Sequence, residues 1–174
     1  MYKLEEIDRR FELLRPGGRV LDLGCAPGSW LQYAGKRVGS RGRVVGLDLS
    51  EVAATLPEQV VVLTGDVFEV TPDVLRSHAE SFDVVLSDMA PPTSGVKFAD
   101  AARSAALVQR AHELARELLV PGGHLLAKVF EGAETQALLE ELRQSFAMSR
   151  RVKPKGSRSE SKETFLLGLS RRAD

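Results

Sequence analysis

Four polar residues stand at places where this sequence would otherwise be apolar or turn-forming. Lys128 lies inside the run Leu125-Leu-Ala-Lys-Val-Phe130. A lysine there costs free energy unless its ammonium reaches a partner or a cleft. The chain holds only seven lysines against 17 arginines, so Lys128 does not read as general surface decoration. Asp88 closes an apolar run and opens a stiff loop, Ser87-Asp-Met-Ala-Pro-Pro-Thr-Ser-Gly95. Lys3 stands in Tyr2-Lys-Leu-Glu-Glu-Ile7, and Glu163 follows a basic segment at the start of the last apolar run. Such a set suits the removal of a proton from a weak nucleophile such as a hydroxyl. A lysine takes that proton once burial and a second cation favour its neutral form. Lys128 fits the base and Lys3 the second cation; Asp88 would orient the Lys128 ammonium or the substrate, and Glu163 would fix Lys3 or a sugar. Taken singly, Lys128 also reads as a lysine snorkelling from an edge strand, and Lys3 as a frayed terminal charge.

A second constellation concerns a bound cofactor. After the first strand-like run comes Asp22-Leu-Gly-Cys-Ala-Pro-Gly-Ser-Trp30. Gly24 and Gly28 let the backbone approach a ligand closely, although the same glycines also serve a tight strand–helix turn. The second run ends at Asp48, where a carboxylate can accept both hydroxyls of a ribose. Asp66 follows the third run and Asp88 the fourth. A dinucleotide site would show G-x-G-x-x-G; this loop has G-x-x-x-G with a proline inside. A nucleoside with a zwitterionic tail fits better, which is S-adenosylmethionine. Trp30, beside the loop, is expected to line the cofactor pocket. Cys25 reads as a small buried filler, since nothing nearby suggests an activated thiolate.

The elements that must position these residues alternate. Strands are predicted over residues 19–24, 43–48, 59–64, 82–88 and 124–130, with two more near 147–152 and 163–169. Helices are predicted over 29–38, 71–79, 99–119 and 134–146. Thr71 is suited to cap the second of these and Pro72 to occupy its first position; Pro121-Gly-Gly123 reads as a turn after the third. Short, nearly all-apolar strands between helices imply a seven-stranded, mostly parallel sheet covered on both faces, an α/β fold of the Rossmann type. Ligands bind such sheets beyond the carboxyl ends of the strands, near the switch point in strand order.

The 174 residues fit one domain spanning 1–174, with neither a linker nor an internal repeat. At 43% hydrophobic and 28% charged, the chain has the composition of a soluble globular protein. No apolar run is long enough to span a bilayer, and the charged N-terminus lacks the apolar core of a signal peptide. One cysteine makes no internal disulfide, so a reducing cytoplasm is the simplest home. No Cys/His spacing suggests a metal site. Net charge is zero, yet Arg150, Arg151, Lys153, Lys155, Arg158 and Lys162 face a single acid, Glu160, within one segment. That local potential suits a phosphate backbone, although a solvated flexible loop carries such runs too. No long amphipathic stretch demands a partner chain, so a monomer is expected.

Lys3 in YKLEEID, Asp88 in SDMAPPTSG, Lys128 in AKVFEG and Glu163 in SRSESKETF resemble the FtsJ-like ribose methyltransferases, a family marked by a Lys-Asp-Lys-Glu tetrad. GCAPGSW is similar to that family's cofactor loop, and the resemblance runs from Tyr2 to about Leu169. It implies a class I methyltransferase fold with S-adenosylmethionine as cofactor, held by Gly28, Trp30, Asp48, Asp66 and Asp88, and Lys128 as proton acceptor. The implied substrate is a uridine 2′-hydroxyl of large-subunit (23S) ribosomal RNA, met within the large ribosomal subunit or as free RNA. Bacterial members usually carry a basic extension before the first lysine, whereas here that motif begins at residue 2. Either RNA docking leans more on the 150–162 segment, or the chain is trimmed or its start misassigned. Transfer RNA is the nearest alternative substrate. A nicotinamide-dependent oxidoreductase and a non-catalytic RNA-binding module are the alternatives from other classes; the missing G-x-G-x-x-G and the four polar residues argue against them.

Overall fold

A computed structural model of the chain describes residues 2–157 and 161–174. Its elements are helix α1 (Tyr2–Phe11), strand β1 (Arg19–Leu23), α2 (Ser29–Val38), β2 (Arg43–Asp48), β3 (Val60–Thr64), α3 (Pro72–Arg76), β4 (Phe82–Ser87), α4 (Lys97–Leu118), β5 (Leu119–Phe130), α5 (Thr135–Ser145), β6 (Phe146–Val152) and β7 (Glu163–Arg171). The strands form one seven-stranded sheet in the order β3-β2-β1-β4-β5-β7-β6. Strands β1 to β5 pair in parallel, and β7 runs antiparallel to both β5 and β6. The order turns back between β1 and β4, so their carboxyl ends frame the switch-point crevice.

The strand period of two divides the core into two layers. Leu21, Leu23, Val45, Val85 and Leu125 point to one face, where Leu75 of α3, Leu114 and Leu118 of α4, and Leu138 and Leu142 of α5 cover them. Val20, Val44, Val84, Leu86 and Leu126 point to the other, covered by Leu4 and Ile7 of α1 and by Leu31, Ala34 and Val38 of α2.

Helix α1 is the element not anticipated from sequence. Its buried side is narrow: Leu4, Ile7 and the carboxylate of Asp8. Asp8 is a tie rather than a liability. It accepts hydrogen bonds from the Leu14 amide (2.8 Å), the Tyr33 hydroxyl (2.7 Å) and Arg37 Nε (3.0 Å), clamping α1 to α2. Burial and the Asp8 hydrogen bond push the Tyr33 phenol up.

Two boundaries also move. Helix α3 stops at Arg76, although Thr71 caps it by accepting from the Val74 amide. The Ser77 hydroxyl donates to the Val74 carbonyl at 2.5 Å, taking a group the next turn would use. Strand β5 begins at Leu119, so Pro121-Gly-Gly123 lies within it as an irregularity. The register with β4 shifts between Phe82 and Val84, and Gly122 takes a φ of 88°, a conformation that favours glycine.

Candidate active site

Strand register assembles the reaction site. Leu86 of β4 pairs with Leu126 of β5, both facing α1. Two residues further on, Asp88, just past the end of β4, and Lys128, near the end of β5, emerge side by side on that same face. Lys128 Nζ lies 3.0 Å from Asp88 Oδ1 and 3.9 Å from Glu163 Oε1. The other Glu163 oxygen, Oε2, accepts from Lys3 Nζ at 3.2 Å. The four residues form a chain of alternating charge, Asp88–Lys128–Glu163–Lys3. Lys128 is not on an edge strand, since β5 is flanked by β4 and β7. Nor is Lys3 frayed: α1 delivers it to Glu163 from across the fold. Burial raises the Asp88 carboxyl above its ordinary range, with Lys128 the main opposing influence.

Beside the tetrad lies a cavity of about 600 Å³, within the range of small-molecule sites. Gly24, Ala26, Asp48, Asp66, Asp88 and Met89 are in its wall, together with Leu49 and Phe68. Gly24 has a φ of 75°, and a Cβ there would stand 2.6 Å from Met89 Cγ; the loops after β1 and β4 touch only because position 24 has no side chain. Asp48 is fixed by the amides of Ala26 (2.9 Å) and Ser50 (2.8 Å), and Asp66 by the amide of Phe68 (2.9 Å). Each carboxylate keeps acceptor capacity for a ligand.

Gly28 and Trp30 stand elsewhere than expected. Neither is in the cavity wall. The Trp30 ring is 6% exposed and stacks on Phe165 with centroids 6.0 Å apart, so it is core packing. Gly28 caps α2 without a side-chain partner and with a φ of 123°, and a Cβ there would press on Val52 and Ala54 at 3.0 and 3.1 Å. The first-turn amides of α2, Trp30 among them, have no helical acceptor and suit a carboxylate.

Asp22 had no role among the sequence expectations. It is fully buried on β1, and neither carboxylate oxygen has a hydrogen-bond partner. Burial, then the charges of Asp88 and Asp48, raise its carboxyl well above the usual range. The available signal was a charged residue inside an apolar strand, the same signal that singled out Lys128. Cys25 is buried as expected, and burial followed by the nearby Asp22 pushes its thiol up to about 12.

The basic segment divides between strand and turn. Arg150 and Arg151 are exposed on β6, with Arg150 over the Phe11 ring at 5.6 Å. Arg151 is occupied by Glu131 (3.7 Å) and Gln136 (3.2 Å). Lys153 donates to the Ser161 carbonyl (2.7 Å), while the Lys155 side chain is exposed and its backbone amide donates to Glu6 (2.8 Å). Arg158 lies outside the described residues.

A Rossmann-like sheet thus carries an acid-lined cavity at its switch point, next to a cluster of two lysines and two carboxylates. The family is shown by comparison: the model of the FtsJ-like methyltransferases matches residues 1–171, and the chain belongs to that family. It is 52% identical over 172 residues to a ribosomal RNA large subunit methyltransferase E of Syntrophobacter fumaroxidans, covering 97% of this chain and 86% of that protein. A Sorangium cellulosum protein of the same name is 48% identical over 173 residues, covering 99% and 81%. Among solved structures, a ribosomal RNA methyltransferase from Plasmodium falciparum superposes with a TM-score of 0.87 at 24% identity, covering 99% of this chain and 97% of that one. An rRNA methylase from Clostridium thermocellum gives 0.69 at 18%, covering 97% of each chain. These two likenesses speak for the fold. Membership of a methyltransferase family removes the oxidoreductase alternative.

Proposed function

We propose that this methyltransferase uses S-adenosylmethionine to methylate a uridine 2′-hydroxyl in large-subunit (23S) ribosomal RNA. The observation that carries the reading is the Lys128 ammonium 3.0 Å from Asp88, within the four-residue chain that borders the cavity. The large-subunit methyltransferases at 52% and 48% identity support the substrate class. One domain, residues 1–174, would carry both sites, acting as a monomer in the cytoplasm.

The donor set fits the cofactor. Asp48 would accept the ribose hydroxyls, Asp66 an exocyclic amine of the base, and Leu49 and Phe68 would flank that base. The free amides at the start of α2, with Gly28 and Trp30, would meet the carboxylate of the amino-acid tail. Asp88 would serve both cofactor and tetrad. When bound, S-adenosylmethionine supplies an electrophilic methyl group on a cationic sulfur. The chain would supply the rest: Lys128 Nζ, entering the step as a neutral amine that has already lost a proton to solvent, would receive the 2′-hydroxyl proton, Asp88 and Glu163 would hold Nζ in place, and Lys3 would anchor Glu163. Arg150, Arg151, Lys153 and Lys155 would meet RNA phosphates, and Arg158 belongs to the same expectation.

The test is incubation with methyl-labelled S-adenosylmethionine, large ribosomal subunits, free ribosomal RNA and transfer RNA, followed by mapping of ribose methylation. Label at a 2′-oxygen of large-subunit RNA is the expected result. Label in transfer RNA alone would move the substrate, and no label in any RNA would overturn the reading.

A further inference from the structure

Two aromatic rings at the carboxyl edge of the sheet have no packing explanation. Phe98 and Tyr2 are each 80% exposed. Phe98 is spaced to extend the buried stripe of α4 that includes Ala101, Ala105 and Val108. At Ala101 the helix already meets Gly132, beyond the end of β5. One turn earlier the sheet has ended, and Phe98 is left beyond its carboxyl edge, the edge that also carries Asp88 and Lys128, but on the α4 face rather than the α1 face. Its backbone is held firmly: Asp100, buried at the start of α4, accepts from the Ser94 amide (3.0 Å) and hydroxyl (2.7 Å). Tyr2 precedes Lys3 and shares a helix face with Glu6, whose carboxylate accepts from the Lys155 amide. It therefore stands toward the Lys153–Ser157 turn. Lys162 lies over the Phe130 ring at 4.5 Å, at the end of β5.

Exposed rings interleaved with lysines suit single-stranded nucleic acid, whose bases stack on the rings while its phosphates meet the cations. A ribose must also penetrate to Lys128, whose side chain is only 13% exposed. A nucleotide that does so leaves its stack, and the bases beside it lose a stacking neighbour. We propose that Phe98 and Tyr2 are stacking platforms for unpaired RNA bases flanking the nucleotide whose ribose enters the tetrad. The inference rests on the RNA reading above and adds to it the form of RNA recognised.

The test uses the full chain and a short single-stranded RNA carrying 2-aminopurine, whose fluorescence is quenched by stacking. Phe98→Ala and Tyr2→Ala should each weaken binding by about 5- to 100-fold and relieve the quenching. Phe98→Trp and Tyr2→Phe should restore both, and unchanged cofactor affinity in every variant shows a folded protein. Wild-type binding in the alanine variants overturns the proposal, as does failure of Phe98→Trp to restore it or no RNA binding by the wild type. An equal loss on duplex RNA, or a loss seen only with assembled subunits, would mean shape reading or a protein contact and also overturns it. Methyl transfer separates the two claims: quenching without any transfer to RNA refutes only the reaction, and transfer with quenching unaltered in the alanine variants refutes only the platforms.

Discussion

Replacing Lys128 by arginine separates a proton acceptor from a fixed positive charge. Arginine keeps the charge and the donors, so pairing with Asp88 and Glu163 persists, but a guanidinium stays protonated and accepts no proton. If proton transfer is the contribution of Lys128, Lys128→Arg lowers the single-turnover rate by about 10²–10⁴-fold, the range of general-base catalysis, or about 3–5.5 kcal/mol of barrier. If charge alone matters, the variant keeps activity within about tenfold. Lys128→Ala is expected to lose at least as much rate but is less clean. The pair joins a 13%-exposed ammonium to a 35%-exposed carboxylate, so screening limits its loss to about 1–2 kcal/mol of stability. It also removes the main influence opposing the raised Asp88 carboxyl. Because the folded state favours the proton on Asp88 more than the unfolded chain does, that preference stabilises at acid pH and fades as pH rises through the folded value. Without Lys128 the fading moves to higher pH. The assay is single-turnover transfer of labelled methyl to large subunits at saturating cofactor, with cofactor affinity followed by titration calorimetry. Arginine supporting transfer within tenfold of wild type would refute the proton-acceptor role.

Asp48→Ala should weaken cofactor binding by about 1.5–3 kcal/mol, the scale of hydrogen bonds to a charged group; calorimetry showing no loss would remove its ribose role. Asp22→Asn should flatten the pH dependence of stability. Wild-type Asp22 binds its proton more tightly folded than unfolded, so stability present at acid pH is lost as pH rises through the folded value, and asparagine has no proton to lose. Parallel slopes in melts across pH would contradict this. Asp8→Ala should cost about 2–4 kcal/mol by stranding the Tyr33 hydroxyl and the Leu14 amide, and should lower transfer by loosening α1 and Lys3; an unchanged denaturation midpoint would show the clamp to be idle. Changing Arg151 and Lys155 together to alanine should flatten the salt dependence of RNA binding by about one to two units of slope, read from binding isotherms at several ionic strengths.

The strands were legible as short apolar runs, and Asp88 and Lys128 because apolar packing explains neither; Glu163 and Lys3 were legible only through the family resemblance. Asp88 closes its run, whereas Lys128 stands inside one. Helix α1 was not legible. Its apolar stripe is narrow, and Asp8 acquires a meaning only from residues 14, 33 and 37, which the fold brings to it. Trp30 misled for the opposite reason. Its neighbours in sequence are the cofactor loop, but its ring is claimed by Phe165, distant in sequence and adjacent in space.

The direction of β7 decides whether the site exists. Glu163 is the first residue of that strand and pairs with Phe130, the last of β5. Antiparallel pairing places the beginning of β7 at the carboxyl edge of the sheet, where Lys128 and Asp88 emerge. A parallel β7 would put Glu163 at the opposite edge, a strand length away, and leave Lys3 and Lys128 without their shared carboxylate. The same reversal places the basic segment. Strand β6 is antiparallel to β7 and therefore leaves the sheet at the carboxyl edge, and β7 enters from that edge. The connection between them, with Lys153 and Lys155 at its start and Lys162 at its end, must begin and finish beside the tetrad. One antiparallel strand added to a parallel sheet thus brings Glu163 and the cations of the basic segment to one place, and it explains why residues so far apart in the sequence stand at the same edge of the fold.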